Sequence, residues 1–419
     1  MPSLPVTVTM REMPIEYRPI KDSDFDAVAS LETVAFYGRP NPEDGKFLRK
    51  LTKPEWTLAA FDDGKPIASV RSIPTARLMH GTQTPFALIS PVTCQAAYRR
   101  QGHVAKLLRQ SLELMKERGQ PISGLYTPHD ALYRRYGWER AEEKQHLNFD
   151  PGHLEFRAPA PPGKTRPATQ DDWKTLDAIY REHVDPLNGA LVREEDWWRF
   201  SVMADWQDKD RRARDIVVWA DESGEDRGYV VYQNRPTGQR ESGWPQQEIW
   251  VRDFVALDAG AYGGLWQHIL THDLASNVVY ESHPSDPFVD LCEDPFVVTV
   301  KRGEGPMIRI ADVEGAIASR PYAGGRSASF TIRVSDECAP WNEGVWRVDA
   351  AEGQMRAEKT DAAPDVEMSV NFLAPLYTGF RTAEALAAVG MITVHRAEAL
   401  AEITNAFAVT NPPFTQDYY

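Results

Sequence analysis

In Ser90-Pro-Val-Thr-Cys-Gln-Ala-Ala-Tyr-Arg-Arg-Gln-Gly-His-Val-Ala-Lys-Leu-Leu-Arg-Gln110 a β-branched run passes through a basic turn holding one glycine. It then opens a helix whose apolar residues Val104, Leu107 and Leu108 recur at helical spacing. The spacing continues through Leu112 and Met115, and Gly119 ends the helix. A strand turned in this way into a helix gathers unpaired backbone N–H groups and the positive helix end at one point, an arrangement that holds a pyrophosphate without a metal. Gly102 lets the backbone approach the phosphates, and Arg99 and Arg100 add charge at the rim. Taken alone, the same residues also fit an ordinary surface loop.

Working outward, the segment sits inside an α/β pattern. Ile15 to Pro19 reads as a strand, and Asp22 or Ser23 caps a helix through Phe25, Val28, Leu31 and Phe36. Trp56 to Phe61, the turn Asp62-Asp63-Gly64-Lys65, Ile67 to Leu78, a turn around Gly81 and Pro85 to Gln95 read as an antiparallel meander. Ile122 to Thr127 adds a strand after the helix. Phe156 to Pro167 (FRAPAPPGKTRP) then reads as a linker, because proline and glycine block regular structure.

Beyond the linker the start of the chain is echoed. Arg18-Pro-Ile-Lys-Asp-Ser-Asp-Phe25 parallels Arg166-Pro-Ala-Thr-Gln-Asp-Asp-Trp173 at an offset of 148 residues, and strand-like Asp215 to Ala220, Tyr229 to Gln233 and Ile249 to Ala256 follow. The expectation is two copies of one domain, 1–155 and 156–303. After Gly303, Met307 to Ile310 with Asp312 reads as a strand-to-helix unit, Ser327 to Val334 and Val345 to Asp349 as strands, and Ala383 to Val389 and Ala397 to Phe407 as helices. These assign a third, α+β domain, 304–419. Its aromatic end, Asn411-Pro-Pro-Phe-Thr-Gln-Asp-Tyr-Tyr419, reads as docked.

Composition narrows the function. The 419 residues are 42% hydrophobic and 26% charged, with no apolar run of about eighteen, which argues against a disordered or membrane-spanning chain. A net charge of −14 opposes nucleic acid and anionic lipid. It either draws in a cationic substrate or merely keeps the surface solvated. Cys94, Cys292 and Cys338 are too few for a disulfide framework, and Met1 to Pro14 lacks a secretory pattern, so a cytoplasmic protein is expected. His268 and His272 stand four apart on one helix face, but with no Glu beside the first and no obvious third ligand they read as a core or surface pair, and no metal is expected.

Two motifs together carry a family resemblance. Arg99-Arg100-Gln101-Gly102-His103-Val104-Ala105 resembles the Arg/Gln-x-x-Gly-x-Gly/Ala turn of GCN5-related N-acetyltransferases (GNAT), with Val104 in place of the second small residue. Ala131-Leu132-Tyr133-Arg134-Arg135-Tyr136-Gly137-Trp138 looks like the same superfamily's Leu-Tyr-x-x-x-Gly-Phe segment, in the expected order. With a second degenerate copy and an α+β tail ending in an aromatic, the chain resembles the Eis (enhanced intracellular survival) family over essentially its whole length. That resemblance implies two GNAT-fold domains in tandem, each a mixed and mostly antiparallel sheet flanked by helices, followed by a sterol-carrier-like domain. It also implies acetyl-CoA as co-substrate, a primary amine of an aminoglycoside, polyamine or lysine side chain as acceptor, and a hexamer.

The resemblance places the coenzyme at Val92, Thr93 and Cys94 on the strand and on the turn from Arg99 and Arg100 to Ala105, with Pro128 and His129 at the thiol end. Backbone N–H groups around Val92 to Cys94 would hold the thioester oxygen. Tyr133 resembles the general acid, its alternative being packing beside Tyr136 and Trp138. The carboxylate of Tyr419 resembles the general base, helped by burial through Phe414, Tyr418 and Tyr419; its alternative is a terminus that only seals an interface. In the second copy Val255 to Trp266 lacks Arg and Lys, and Asp258 would repel a pyrophosphate, so one coenzyme per chain is expected, with this domain walling the acceptor pocket. The competing function is a non-catalytic acyl-CoA or lipid-binding protein that uses the third domain.

Overall fold

The repeated Arg-Pro segment folds the same way twice. Strand β1 (Glu16–Pro19) leads through a turn into helix α1 (Phe25–Ala35), and β8 (Lys164–Pro167) leads likewise into α4 (Trp173–Val184). In each copy the arginine of the strand bonds the aspartate six residues on, Arg18 to Asp24 at 2.6 Å and Arg166 to Asp172 at 3.0 Å. That aspartate also accepts the backbone N–H three residues before it, from Lys21 at 2.9 Å and from Thr169 at 2.8 Å. The same local chemistry closes both strand-to-helix turns.

The computed structural model describes residues 14–40, 45–46, 49–50, 52–79, 81–158, 162–204, 214–239, 243, 245–322 and 327–419. The expected signal-free start up to residue 13 and the centre of the linker, 159–161, lie outside them. The chain forms two compact units, one of Met1–Ile73 with Ile89–Ser111 and one of Pro74–Leu88 with Leu112–Tyr419. Strands β3 (Lys65–Met79) and β4 (Thr82–Cys94) and helix α2 (His103–Glu117) contribute residues to both.

In the first unit β2 (Thr57–Asp62) pairs antiparallel with β1, Glu16 opposite Phe61, and with β3, Thr57 opposite Arg71. Phe25, Val28 and Ala29 of α1 pack on Ala59 and Phe61 of this sheet. In the second unit Phe86 to Leu88 of β4 pairs parallel with β5 (Ile122–Leu125). Helix α3 (Asp130–Arg134) and β6 (Glu139–Arg140) follow.

The expected boundaries at 155 and 303 do not coincide with sheet membership. β14 (Met307–Ile310), read as the opening of the third domain, pairs antiparallel with β5 and β6. β7 (Glu143–Phe149), which falls before the expected boundary at 155, lies between β13 (Thr299–Glu304) and β12 (Ala275–Ser282) in the second sheet. Apolar alternation says that a strand is half-buried and nothing about which partner covers it.

The second sheet runs β13-β7-β12-β11-β10-β9-β8, with β9 spanning Asp215–Ala220, β10 Asp226–Gln239 and β11 Pro245–Ala256. Alternation along β10 sends Val230 and Tyr232 to the face covered by Leu265, Trp266 and Ile269 of α5 (Ala259–Leu270). It sends Tyr229 and Val231 to the face covered by Leu176, Ile179 and Tyr180 of α4. The last sheet runs β17-β16-β15-β18-β19, with β15 Ala328–Ser335, β16 Gly344–Ala351, β17 Gln354–Lys359, β18 Val366–Ser369 and β19 Ile392–Val394. Helices α6 (Val313–Ala318), α7 (Val370–Tyr377), α8 (Ala383–Ala388) and α9 (Ala399–Ala406) belong to the same region. The fold is two tandem α/β domains with mixed sheets flanked by helices and a C-terminal α+β domain, as expected.

Candidate active site

The basic turn lies in the first unit. Arg100 and Gly102 both take positive φ, +65° and +87°, reversing the chain between β4 and α2. A Cβ on Gly102 would meet nothing within 4 Å, so glycine is needed there for its backbone conformation and for an open approach. The first α2 bond runs from Lys106 N–H to the Gly102 carbonyl at 3.1 Å. Among the described residues the N–H groups of Gln101, Gly102, His103, Val104 and Ala105 donate to no protein acceptor. Five free amides at the positive end of a 15-residue helix, beside exposed Arg99 and Arg100, suit a diphosphate.

Other side chains of the turn are engaged inward. Arg99 Nε donates to the Cys94 carbonyl at 3.4 Å and Gln101 to the Ala97 carbonyl at 3.0 Å. His103 is buried, with Nδ1 on the Tyr17 hydroxyl at 2.7 Å, while Lys106 Nζ lies 3.9 Å from the centroid of that tyrosine ring. Val92, Cys94, Val104 and Ala105 are half-buried, and burial pushes the Cys94 thiol up. The Thr93 hydroxyl points into the protein and shares a 2.7 Å bond with Ser69, which donates to Glu32 at 3.3 Å. Glu32 in turn pairs with Arg71 at 2.5 Å, both buried, so Thr93 has its backbone rather than its hydroxyl to offer a ligand.

The remaining predicted residues lie in the second unit. Pro128 and His129 are exposed just before α3, and His129 N–H donates to Thr127 Oγ1 at 2.9 Å. Tyr133, on α3, is buried and meets Trp138 edge-on at 6.4 Å between centroids, so the packing alternative also holds. Burial, with Tyr136 beside it, pushes its phenol up to about 12. Its hydroxyl has no hydrogen-bond partner among the described residues. The helix end is fixed from outside: Asn371 of α7 donates to the Arg134 and Trp138 carbonyls at 3.0 and 3.2 Å. Gly137, at φ +89°, lets the buried Arg309 guanidinium lie where a Cβ would come within 2.7 Å of it.

The C-terminal tail is docked in the second unit, though not by the aromatics alone. Phe414 N–H donates to the Asn188 carbonyl at 2.8 Å, and Gln416 donates to the Arg252 and Glu281 carbonyls at 3.1 and 2.8 Å. The Asp417 carboxylate is buried against Arg193 Nε at 3.1 Å and Trp197 Nε1 at 2.7 Å. The Tyr126 hydroxyl donates to the Asp417 carbonyl at 3.1 Å. The Tyr419 ring is buried between Tyr126 and Phe86, at 5.0 and 6.4 Å between centroids, whereas Tyr418, expected to bury the terminus, is 59% exposed and lies tilted against Tyr126 at 4.7 Å. Arg77, whose guanidinium bonds Glu142 and the Gly189 carbonyl, completes the surroundings.

Tyr126, Arg77, Arg193, Asp253 and Asp417 had no motif to announce them. Beside the tail a cleft is lined by Trp250, Asp253, Glu281, Asp417 and Tyr418 together with Arg193, Arg214 and Arg252. In the degenerate copy Asp258 caps α5, accepting Ala261 N–H at 2.8 Å and pairing with Arg227 at 3.1 Å. Trp219 packs so tightly on Gly264 that a Cβ there would lie 2.1 Å from its indole nitrogen. The position equivalent to the phosphate turn is thus filled by the protein's own carboxylate and indole. Among the described residues no group of three His, Cys, Asp or Glu is placed to hold a metal ion, and no helix is long and apolar enough to cross a membrane.

The profile described as an acetyltransferase (GNAT) domain matches residues 16–141, a second profile of the same description matches 189–310, and a sterol carrier protein domain matches 313–416. An uncharacterized N-acetyltransferase of Streptomyces coelicolor is 26% identical over 96% of the chain and 99% of its own length. The N-acetyltransferase Eis of Mycobacterium tuberculosis is 24% identical over 93% of the chain and 96% of its own length. Among solved structures, Eis1 from Mycobacterium abscessus superposes with a TM-score of 0.79 at 23% identity, over 96% of this chain and all of that one. A GCN5-related N-acetyltransferase from Anabaena variabilis gives 0.84 at 20% identity, over 97% and 100%.

Proposed function

The chain belongs to the Eis-type GCN5-related N-acetyltransferases, and on that premise we propose that it moves the acetyl group of acetyl-CoA directly onto a primary amine of a cationic acceptor. The observation that carries this reading is the turn from Arg99 to Ala105, with its free amides and open Gly102. Those amides and Arg100 bind the diphosphate, while Val92, Thr93 and Cys94 present backbone to the acyl arm and Pro128 and His129 belong to its thiol end.

The coenzyme supplies a thioester whose carbon is attacked by the amine nitrogen as the C–S bond breaks and the thiolate departs. Tyr133 suits the return of a proton to that thiolate: its phenol is neutral at physiological pH and its hydroxyl is uncommitted among the described residues. The acceptor must arrive as, or become, the free amine. The family resemblance gives that proton to the α-carboxylate of Tyr419, whose ring is buried against Tyr126 and Phe86. The net charge of −14 and the exposed Tyr418 ring beside the tail support a cation such as an aminoglycoside, polyamine or lysine side chain. One coenzyme per chain, a hexamer and a cytoplasmic location complete the reading.

A thiol-release assay with acetyl-CoA and a panel of amines tests it. Turnover with at least one polyamine or aminoglycoside is expected, with Arg100→Ala raising the KM for coenzyme and sparing kcat at saturation. No turnover with any amine, together with tight lipid binding, would reverse the reading in favour of a binding protein.

A further inference from the structure

We propose that Tyr232, His268 and His272 form a binding site for a divalent transition-metal ion of the zinc, nickel or copper(II) kind, separate from the acetyl-transfer machinery. His268 and His272 stand four residues apart, His268 in the last turn of α5 and His272 just past its end. The third donor is thirty-six residues from His268, on β10: the Tyr232 hydroxyl lies 3.1 Å from His268 Nε2 and 3.1 Å from His272 Nε2. A tetrahedral ion with bonds of about 2.0–2.1 Å sets neighbouring donors about 3.3 Å apart, so both nitrogens already stand near ligand spacing from the oxygen.

The surroundings fit the same use. His272 Nδ1 is 3.1 Å from the Ile269 carbonyl, which only accepts, so that nitrogen carries the hydrogen and Nε2 offers its lone pair. An imidazole fixed by a backbone carbonyl on its far nitrogen is the usual outer support of a metal-binding histidine. Both rings are half-buried, so an ion can enter from solvent, while Tyr232 is buried beneath them. Asp215, opposite Tyr232 in the β9–β10 ladder, adds negative charge nearby. On binding, two Nε2–metal bonds and one Oη–metal bond form, water fills the remaining position, and the phenol proton leaves to solvent.

Titration of the chelator-treated full chain with Zn²⁺, Ni²⁺ and Cu²⁺ tests this. One saturable site per chain is expected, with Cu²⁺ giving a phenolate-to-copper charge-transfer band. His268→Gln and His272→Gln should each weaken binding by more than about tenfold, since even outer partners of metal ligands carry that much. Tyr232→Phe should retain weaker binding and lose the band. Absence of saturable binding with all three ions, or equal affinity in wild type and the double histidine variant, would overturn the proposal. The wild-type titration alone can do so, whatever the variants do to folding.

Discussion

The guanidinium of Arg193 holds Asp417 through Nε at 3.1 Å and Asp253 through Nη1 at 2.6 Å, so one buried cation serves two buried carboxylates. Its face also covers the Tyr180 ring at 3.9 Å. Removing it leaves two buried carboxyl groups without their shared donor, and Arg193→Met should destabilise the protein by about 3–5 kcal/mol and release the tail to protease. Asp417→Asn should behave quite differently. Burial pushes the Asp417 carboxyl up, so the folded state holds its proton more tightly than the unfolded state. Its contribution is therefore greatest at low pH and falls as pH rises, and at neutral pH the amide, still able to accept from Trp197, should cost little. Urea midpoints of the two variants check this, and a large loss in Asp417→Asn would show that Asp417 contributes as a charge.

Tyr133→Phe removes a hydroxyl without emptying the space its ring fills against Trp138. Stability should change by about 1 kcal/mol or less. Turnover should fall by about 10²–10⁴-fold with coenzyme affinity unchanged, as expected for loss of a proton donor. Adding one glycine after Tyr419 should likewise cut kcat and spare coenzyme binding. Full rates in both variants would remove the acid and base assignments together.

The strand-to-helix turns and the repeat of the Arg-Pro segment were legible because each is local: a few residue types at fixed offsets satisfy one another's backbone groups. The exchange of β7 and β14 was not, because Leu147 and Ile308 are apolar whichever sheet they enter. Nor was the tail's anchorage. Asp417, Arg193 and Asp253 read in sequence as ordinary surface charges, and only the long-range fold brings 224 residues of separation to 3.1 Å. The third donor to the histidine pair escaped for the same reason.

Alkaline pH should expose the buried phenols. Burial pushes Tyr133 up to about 12, and Tyr126 and Tyr419 are raised by burial as well, whereas unfolded tyrosine ionises near 10. Their stabilising contribution is complete below pH 10 and is lost as pH rises from there toward 12. Denaturant midpoints across that range should fall more steeply than in Tyr133→Phe. Parallel curves would show that the Tyr133 phenol ionises normally in the folded protein.

Gly102→Ala places a Cβ in open space but forces φ +87° on an L-residue. The expected cost is about 1 kcal/mol or more, taken either as lost stability or as a reshaped turn. A reshaped turn re-aims the amides of Gly102 and His103, so the coenzyme Kd should rise while kcat at saturation survives. Gly102→Asn, which tolerates this backbone region better, should lie between the two. Calorimetric titration with coenzyme orders the three proteins.

Asp258→Ala tests whether the second copy is closed by its own side chains. The carboxylate occupies the α5 N-terminus and pairs with Arg227, so its loss should destabilise by about 1 kcal/mol. It frees amides at a helix start, yet Trp219 still fills the space over Gly260 and Gly264, and Val255 to Trp266 still offers no Arg or Lys. Coenzyme binding should therefore remain at one per chain in the variant. A second equivalent appearing in the titration would mean that Asp258 alone keeps the second domain from binding, and that the tryptophan is no barrier.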